Sequence, residues 1–159
     1  MVTEQDRQYM RQAIAVMREA GVEKKTGGPF GVVIVKDGEV LAATGNSVIR
    51  DNDPTAHAEV NAIRQACQKL GTFDLSGAVM YSSCECCPMC YASAYWARID
   101  KIYYGAGWAD FEDLFDDSNI SKDLQKDYPD RQLAPEQLLR EEAKTVWDEF
   151  RQIPDGARY

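Results

Sequence analysis

The stretch Ala78-Val79-Met80-Tyr81-Ser82-Ser83-Cys84-Glu85-Cys86-Cys87-Pro88-Met89-Cys90 decides how this chain is read. Ala78 to Ser82 is a short apolar run of strand type. Pro88 suits the first position of a helix running to Ala97, because proline lacks the N–H that a helix start leaves unpaired. A strand therefore turns into a helix, with cysteines at the turn. Cys87 and Cys90 are three apart and share a helix face, and a thiolate there is favoured by the unpaired N–H groups of the helix start. Four of the five cysteines fall within these seven positions, a clustering that suits a metal ion better than disulfides. The fifth, Cys67, reads as a small buried hydrophobe.

Thirty residues before Cys87 stands the single histidine, in Pro54-Thr55-Ala56-His57-Ala58-Glu59. Ala56 to Leu70 carries helix formers and Gly71 sits just past their end, so His57 and Glu59 belong to a first helical turn. Residues two apart inside a helix point in different directions, but the first turn lets both reach one ion. His57, Cys87 and Cys90 make a Cys2His set with a fourth position open, the arrangement of a catalytic zinc. Zinc lowers the pKa of a coordinated water to about 7. Glu59 is then the natural proton shuttle. The expected chemistry is hydrolytic deamination of an aromatic heterocycle.

The rest of the chain alternates helix and strand periods. Thr3 and Asp6 form a capping box ahead of a helix whose apolar positions, Tyr9 to Ala20, recur until Gly21. Phe30 to Lys36 is a near-continuous apolar run of central-strand type, and Asp37-Gly38 signals a hairpin to a strand from Glu39 to Ala43. A loop from Gly45 to Asp53 follows. Lys101 to Gly105 is a further strand. Pro135 is expected to open a last helix with Leu139, Ala143, Val146, Trp147 and Phe150 on one face, before a polar tail from Pro154 to Tyr159. This order implies an α/β protein with a mixed sheet and helices on both faces. At 159 residues the chain reads as one domain, residues 1–159.

A net charge of −8, with only Lys24-Lys25 paired among the basic residues, argues against nucleic acid as a partner. Eight carboxylates between Asp110 and Asp130 read as a solvated loop. No stretch approaches the roughly 20 apolar residues of a membrane helix, and from the polar amino terminus no signal peptide is expected. A cytoplasmic location, where thiols stay reduced, is the expectation.

H-x-E followed by P-C-x-x-C is the signature of zinc deaminases, and the chain resembles the cytidine deaminase superfamily over nearly its whole length. Within it, the chain is most similar to bacterial guanine deaminases. That likeness rests on Gly27-Gly28-Pro29-Phe30-Gly31, on Asn52 to Glu59, on Tyr95-Trp96-Ala97-Arg98, on Phe115-Asp116-Asp117-Ser118 and on the terminal Tyr159. The resemblance implies a three-layer α/β/α cytidine-deaminase-like fold with a mixed sheet of about five strands. It implies one Zn2+ per subunit on His57, Cys87 and Cys90, with Glu59 as shuttle. Phe30 and Trp96 would wall the base, Asn46 would hydrogen-bond it, and Asp117 would accept from its N–H edge and assist proton transfer. It further implies a homodimer in which residues 135–159 are exchanged between subunits, so that Tyr159 closes the neighbour's pocket. The reaction would be guanine to xanthine and ammonia.

One departure stands out: Cys86 occupies the family's proline position before the first ligand cysteine. Cys84 and Cys87 then also form C-x-x-C, and a closed Cys3His structural zinc or redox module becomes a rival reading, one that leaves Glu59 without a task. Rival substrates are guanosine, cytosine, an ammeline-type aminotriazine and transfer-RNA adenosine.

Overall fold

The computed structural model describes residues 1–159. They form two compact units, Met1–Asp117 and Ser118–Tyr159.

The first unit is built on a four-stranded sheet: β1 (Gly31–Lys36), β2 (Glu39–Gly45), β3 (Ala78–Cys84) and β4 (Lys101–Ala106), in the order β2-β1-β3-β4. β1 pairs antiparallel with β2 and β3, and β3 pairs parallel with β4, so the sheet is mixed. Asp37 and Gly38 both take positive φ, which gives the hairpin a turn whose twist matches its strands.

Neighbouring residues of one strand face opposite layers, and the core shows it. Val32, Ile34 and Met80 pack with Ala58, Ala62, Ala66 and Ala94, whereas Val33, Val35 and Tyr81 pack with Ala13, Tyr9 and Met10. The first layer holds α3 (Ala58–Leu70) and α4 (Pro88–Trp96), and the second holds α1 (Glu4–Arg18). Alanines at 58, 62 and 66 recur every four residues, so α3 lays a smooth stripe on the sheet. Each large side chain buried here, Ile34 among them, contributes roughly 1.5–3 kcal/mol.

The capping box of α1 is present. Asp6 N–H donates to Thr3 Oγ1 at 3.1 Å and Thr3 N–H to Asp6 Oδ2 at 2.7 Å. The helix does not stop at Gly21. A π turn over Glu19–Glu23 carries it on, with Lys24 N–H bonded to Glu19 O, and it draws Ala20 into the core. The loop expected from Gly45 to Asp53 contains a short helix, α2 (Val48–Asp51), closed by Asn52 in the left-handed region.

The sheet has four strands and not about five. After Ala106 residues 107–115 bond to one another in successive turns, with Asp110 Oδ2 accepting from Gly107 N–H, and β4 is left as an edge.

The second unit contains α5 (Ser118–Leu124), a 3-10 turn (Tyr128–Asp130) and α6 (Arg140–Arg151). The helix expected to open at Pro135 begins at Arg140, because Leu139 takes φ 52 and no right-handed helix runs through it. Part of the acidic stretch is organised: the Asp123 carboxylate accepts from Gln132 N–H at 3.0 Å and Lys126 Nζ at 3.1 Å. Val146 and Trp147 of the expected apolar face are exposed. No helix of the chain is long and apolar enough to cross a membrane.

Candidate zinc site

Two helix starts meet at the carboxyl end of β3. His57 is the residue capping α3 and Cys87 the residue capping α4, both in extended backbone, and Cys90 lies one turn into α4. His57 Nδ1 is 3.6 Å from Cys87 Sγ and 3.4 Å from Cys90 Sγ. Bond lengths of about 2.3 Å to sulfur and 2.0 Å to nitrogen at a tetrahedral angle put N and S roughly 3.5 Å apart. The spacing of these three residues fits a zinc ion, and they form a group that could hold one.

Hydrogen bonding within the trio favours one thiolate. The Cys90 thiol, and then His57, hold Cys87 down at about 4, while the Cys87 thiolate together with burial drives Cys90 upward. His57 is raised, chiefly by its bond to Cys87. Zinc recruits such groups as thiolates and neutral imidazole.

Glu59, the second residue of α3, is buried at 4% exposure beside the trio. Desolvation raises its carboxyl above the usual range, with the Cys90 side chain within hydrogen-bond reach. A buried carboxyl whose desolvation outweighs the pull of the nearby His57 is the environment in which enzymes keep a proton carrier. Because His57 lies outside the helix proper, the two-residue offset places both side chains toward one site.

Cys84 is not part of this group. Its Sγ lies 3.9 Å from the Pro29 carbonyl and receives a bond from Ser83 Oγ at 3.5 Å. The closed Cys3His arrangement has no support in this geometry. Cys86, at the family's proline position, packs against the apolar core, and burial pushes its thiol well above the ordinary range. It remains a thiol.

Phe30 lies edge-on to Phe111 and Phe115, with ring centroids 5.7 and 5.1 Å away. Asn46 is buried, with its Oδ1 accepting from Val48 N–H at 3.1 Å and its carbonyl accepting from Thr26 Oγ1 at 2.7 Å. A Cβ on Gly27 would fall 1.9 Å from Asn46 Oδ1, so only glycine fits there. Asp117 is half-buried. Burial raises its carboxyl, the negative charges of Cys87, Asp116 and Glu85 add to this, and His57 opposes it. Trp96 ends α4 with about two thirds of its surface exposed, and Tyr159 is exposed at the end of the second unit.

Sequence reasoning missed three contributors. Phe111 stands four residues before Phe115 with no motif to mark it. Asn61 ties the loop before His57, its Nδ2 donating to Ser47 Oγ at 2.9 Å and Gly45 O at 3.1 Å, yet it reads as any polar helix residue. Glu85 accepts from Trp108 N–H across two loops, a contact that no local spacing announces.

Residues 3–106 match the cytidine and deoxycytidylate deaminase zinc-binding region. The chain belongs to that family. It is 41% identical to guanine deaminase of Bacillus subtilis over 152 residues, covering 95% of this chain and 97% of that one. The crystal structure of the Bacillus subtilis guanine deaminase superposes with a TM-score of 0.92 at 40% identity, over 100% of this chain and 99% of that chain. A tRNA-specific adenosine deaminase of Agrobacterium fabrum is 45% identical, but over 62% of this chain and 63% of its own length.

Proposed function

We propose that this chain is a zinc-dependent guanine deaminase, adding water to guanine and releasing xanthine and ammonia. The observation that carries this reading is the full-length likeness to a guanine deaminase, joined to an imidazole and two thiols at zinc spacing with a buried glutamate beside them. The match to the adenosine deaminase of transfer RNA covers less than two thirds of the chain, and a net charge of −8 is unfavourable for gripping RNA.

His57, Cys87 and Cys90 would hold the zinc ion, which supplies the Lewis acidity that makes water a nucleophile near neutral pH. Glu59 takes one proton of that water and gives it to a ring nitrogen, then takes the second from the added hydroxyl and gives it to the departing amine. Phe30, steadied by Phe111 and Phe115, offers an apolar ring to stack on the base, with Trp96 as the second wall. Asn46 Oδ1 already accepts a backbone N–H, so its amide nitrogen is the group presented to a ring acceptor. Asp117 accepts from the N–H edge of the base, as suits a carboxylate reading donors.

The 1–159 chain acts as one deaminase domain, in the cytoplasm, as a homodimer that exchanges residues 135–159. The exposed Val146 and Trp147 stripe of α6 supports exchange, since a partner would cover it. Tyr159 would then close the neighbour's pocket.

The test is ammonia release by the zinc-loaded protein from guanine, guanosine, adenine, cytosine and ammeline. Guanine is expected to turn over fastest, and Glu59→Gln to lower that rate by about 10³-fold while zinc stays bound. A higher rate on another ring overturns the substrate; unchanged turnover in the variant overturns the role of Glu59.

A further inference from the structure

Glu85 stands between the end of β3 and the turn that carries Cys87 and Cys90. Its backbone N–H donates to Ala106 O at 2.9 Å, and its Oε2 accepts from Trp108 N–H at 3.0 Å. One residue thus links the cysteine turn to the first residues after β4. From Trp108 onward the chain is a relay of short turns. Gly107 N–H bonds Asp110 Oδ2 at 2.9 Å, Phe111 N–H bonds Trp108 O at 3.1 Å, and Phe115 N–H bonds Phe111 O at 3.0 Å. Phe111 and Phe115 press their edges on Phe30, and Asp117 follows two residues later. Fixing Trp108 therefore fixes the segment that carries two aromatic supports and the carboxylate that reads the base. Trp108 also holds its indole nitrogen buried without a hydrogen-bond partner, a position that costs free energy and needs a tether elsewhere. The Glu85 carboxylate is that tether.

We propose that Glu85 is a positioning residue, coupling the metal-ligand turn to the 107–117 segment so that Asp117 and the Phe30 wall keep register with the ligands. The inference rests on the reading of Asp117 as a guanine contact. It assigns Glu85 no contact with guanine and no place on the ion. Because the hydrogen bond is partly in water, its loss is worth the lower end of what a charged acceptor contributes, about tenfold in an equilibrium or a rate.

The experiment uses the zinc-loaded protein with guanine as substrate and amide hydrogen exchange as second readout. Glu85→Ala is expected to lower kcat/KM by about tenfold, with zinc content unchanged and faster exchange over residues 107–111. Glu85→Gln keeps an oxygen acceptor and should recover to within about threefold of the parent. The donor side gives an independent check. Trp108 is the first residue of a 3-10 turn after Gly107 at φ −79 and ψ 163, a place where proline fits and removes only the N–H of the backbone. Trp108→Pro should fall below Trp108→Ala by the same factor, and adding Glu85→Ala to Trp108→Pro should cause no further loss. The proposal is overturned if Glu85→Ala matches the parent in rate and exchange, if Gln is as damaging as Ala, or if the two losses multiply. Asp117→Asn separates the two readings. If it leaves guanine turnover intact, the assignment of Asp117 fails, while the exchange and the Trp108 pair still decide on Glu85.

Discussion

The first unit hides its apolar residues on both faces of a sheet, whereas in the second unit no residue is buried. Val33, Ile34 and Met80 are fully covered; Leu133, Leu138, Val146 and Trp147 lie largely open. The second unit holds together by local means: Trp147 edge-on to Phe150, Arg158 over the Phe150 ring, and Asp123 accepting from Gln132 and Lys126. Such contacts stabilise turns but do not supply a core, and about 40 residues are too few to stand alone on burial. The lesson is that amphipathic pattern and burial are separate properties. α6 has the pattern, and its own unit does not give it the burial.

The comparison breaks most readily at Ile34. Ile34→Ala should cost about 2–5 kcal/mol by urea unfolding, because the rigid layers around it cannot collapse into the space. Val146→Ala should cost about 0.5 kcal/mol or less in dilute protein and, if residues 135–159 are exchanged, more at high protein concentration. Equal costs for Val146→Ala at both concentrations would remove the argument for exchange. A change of selectivity is expected at the tail. Deleting Tyr159 should raise the guanosine-to-guanine ratio of kcat/KM by about tenfold if the tail gates the pocket; an unchanged ratio would confine the second unit to a structural part.

The smallest effect concerns a polar tie inside the first unit. Tyr81 OH donates to Asp6 Oδ1 at 2.6 Å, and this bond, with those from Thr3, holds the Asp6 carboxyl at about 2 against an ordinary 3.8. A carboxylate depressed on folding contributes stability above its unfolded pKa and loses it as pH falls toward the folded one. The urea midpoint should therefore decline between about pH 4 and pH 2, and Asp6→Asn should flatten that decline. An unaltered slope would show that the tie between α1 and β3 carries no linkage.

Much of the candidate site was legible in the residues. Proline after Cys87, two cysteines three apart and a histidine at a helix start are local features, since each depends on what a few neighbouring residues do to one backbone turn. The hairpin at Asp37-Gly38 and the box at Thr3 and Asp6 belong to the same kind. Other features were not local. Leu139 in the left-handed region displaces the start of α6 by five residues from Pro135, and nothing in its composition marks that conformation. Cys84 and Cys86 could be told from Cys87 and Cys90 only by where each sulfur lies, Cys84 near the Pro29 carbonyl, Cys86 against the apolar core, and Cys87 and Cys90 at His57.

By itself the sequence determined the order of the four strands and of α1, α3 and α4, the donor chemistry at His57, Cys87 and Cys90, and the capping, turn and helix-start signals that set those donors on two first turns. Those properties follow from short-range sterics and hydrogen bonding, which act within four or five residues. The tertiary structure alone decided that the donors converge, that Glu59 is desolvated beside them, that Cys84 is excluded, and that Glu85 reaches Trp108. Each of these depends on strand pairing that brings residues tens of positions apart into contact, and no local periodicity carries that information.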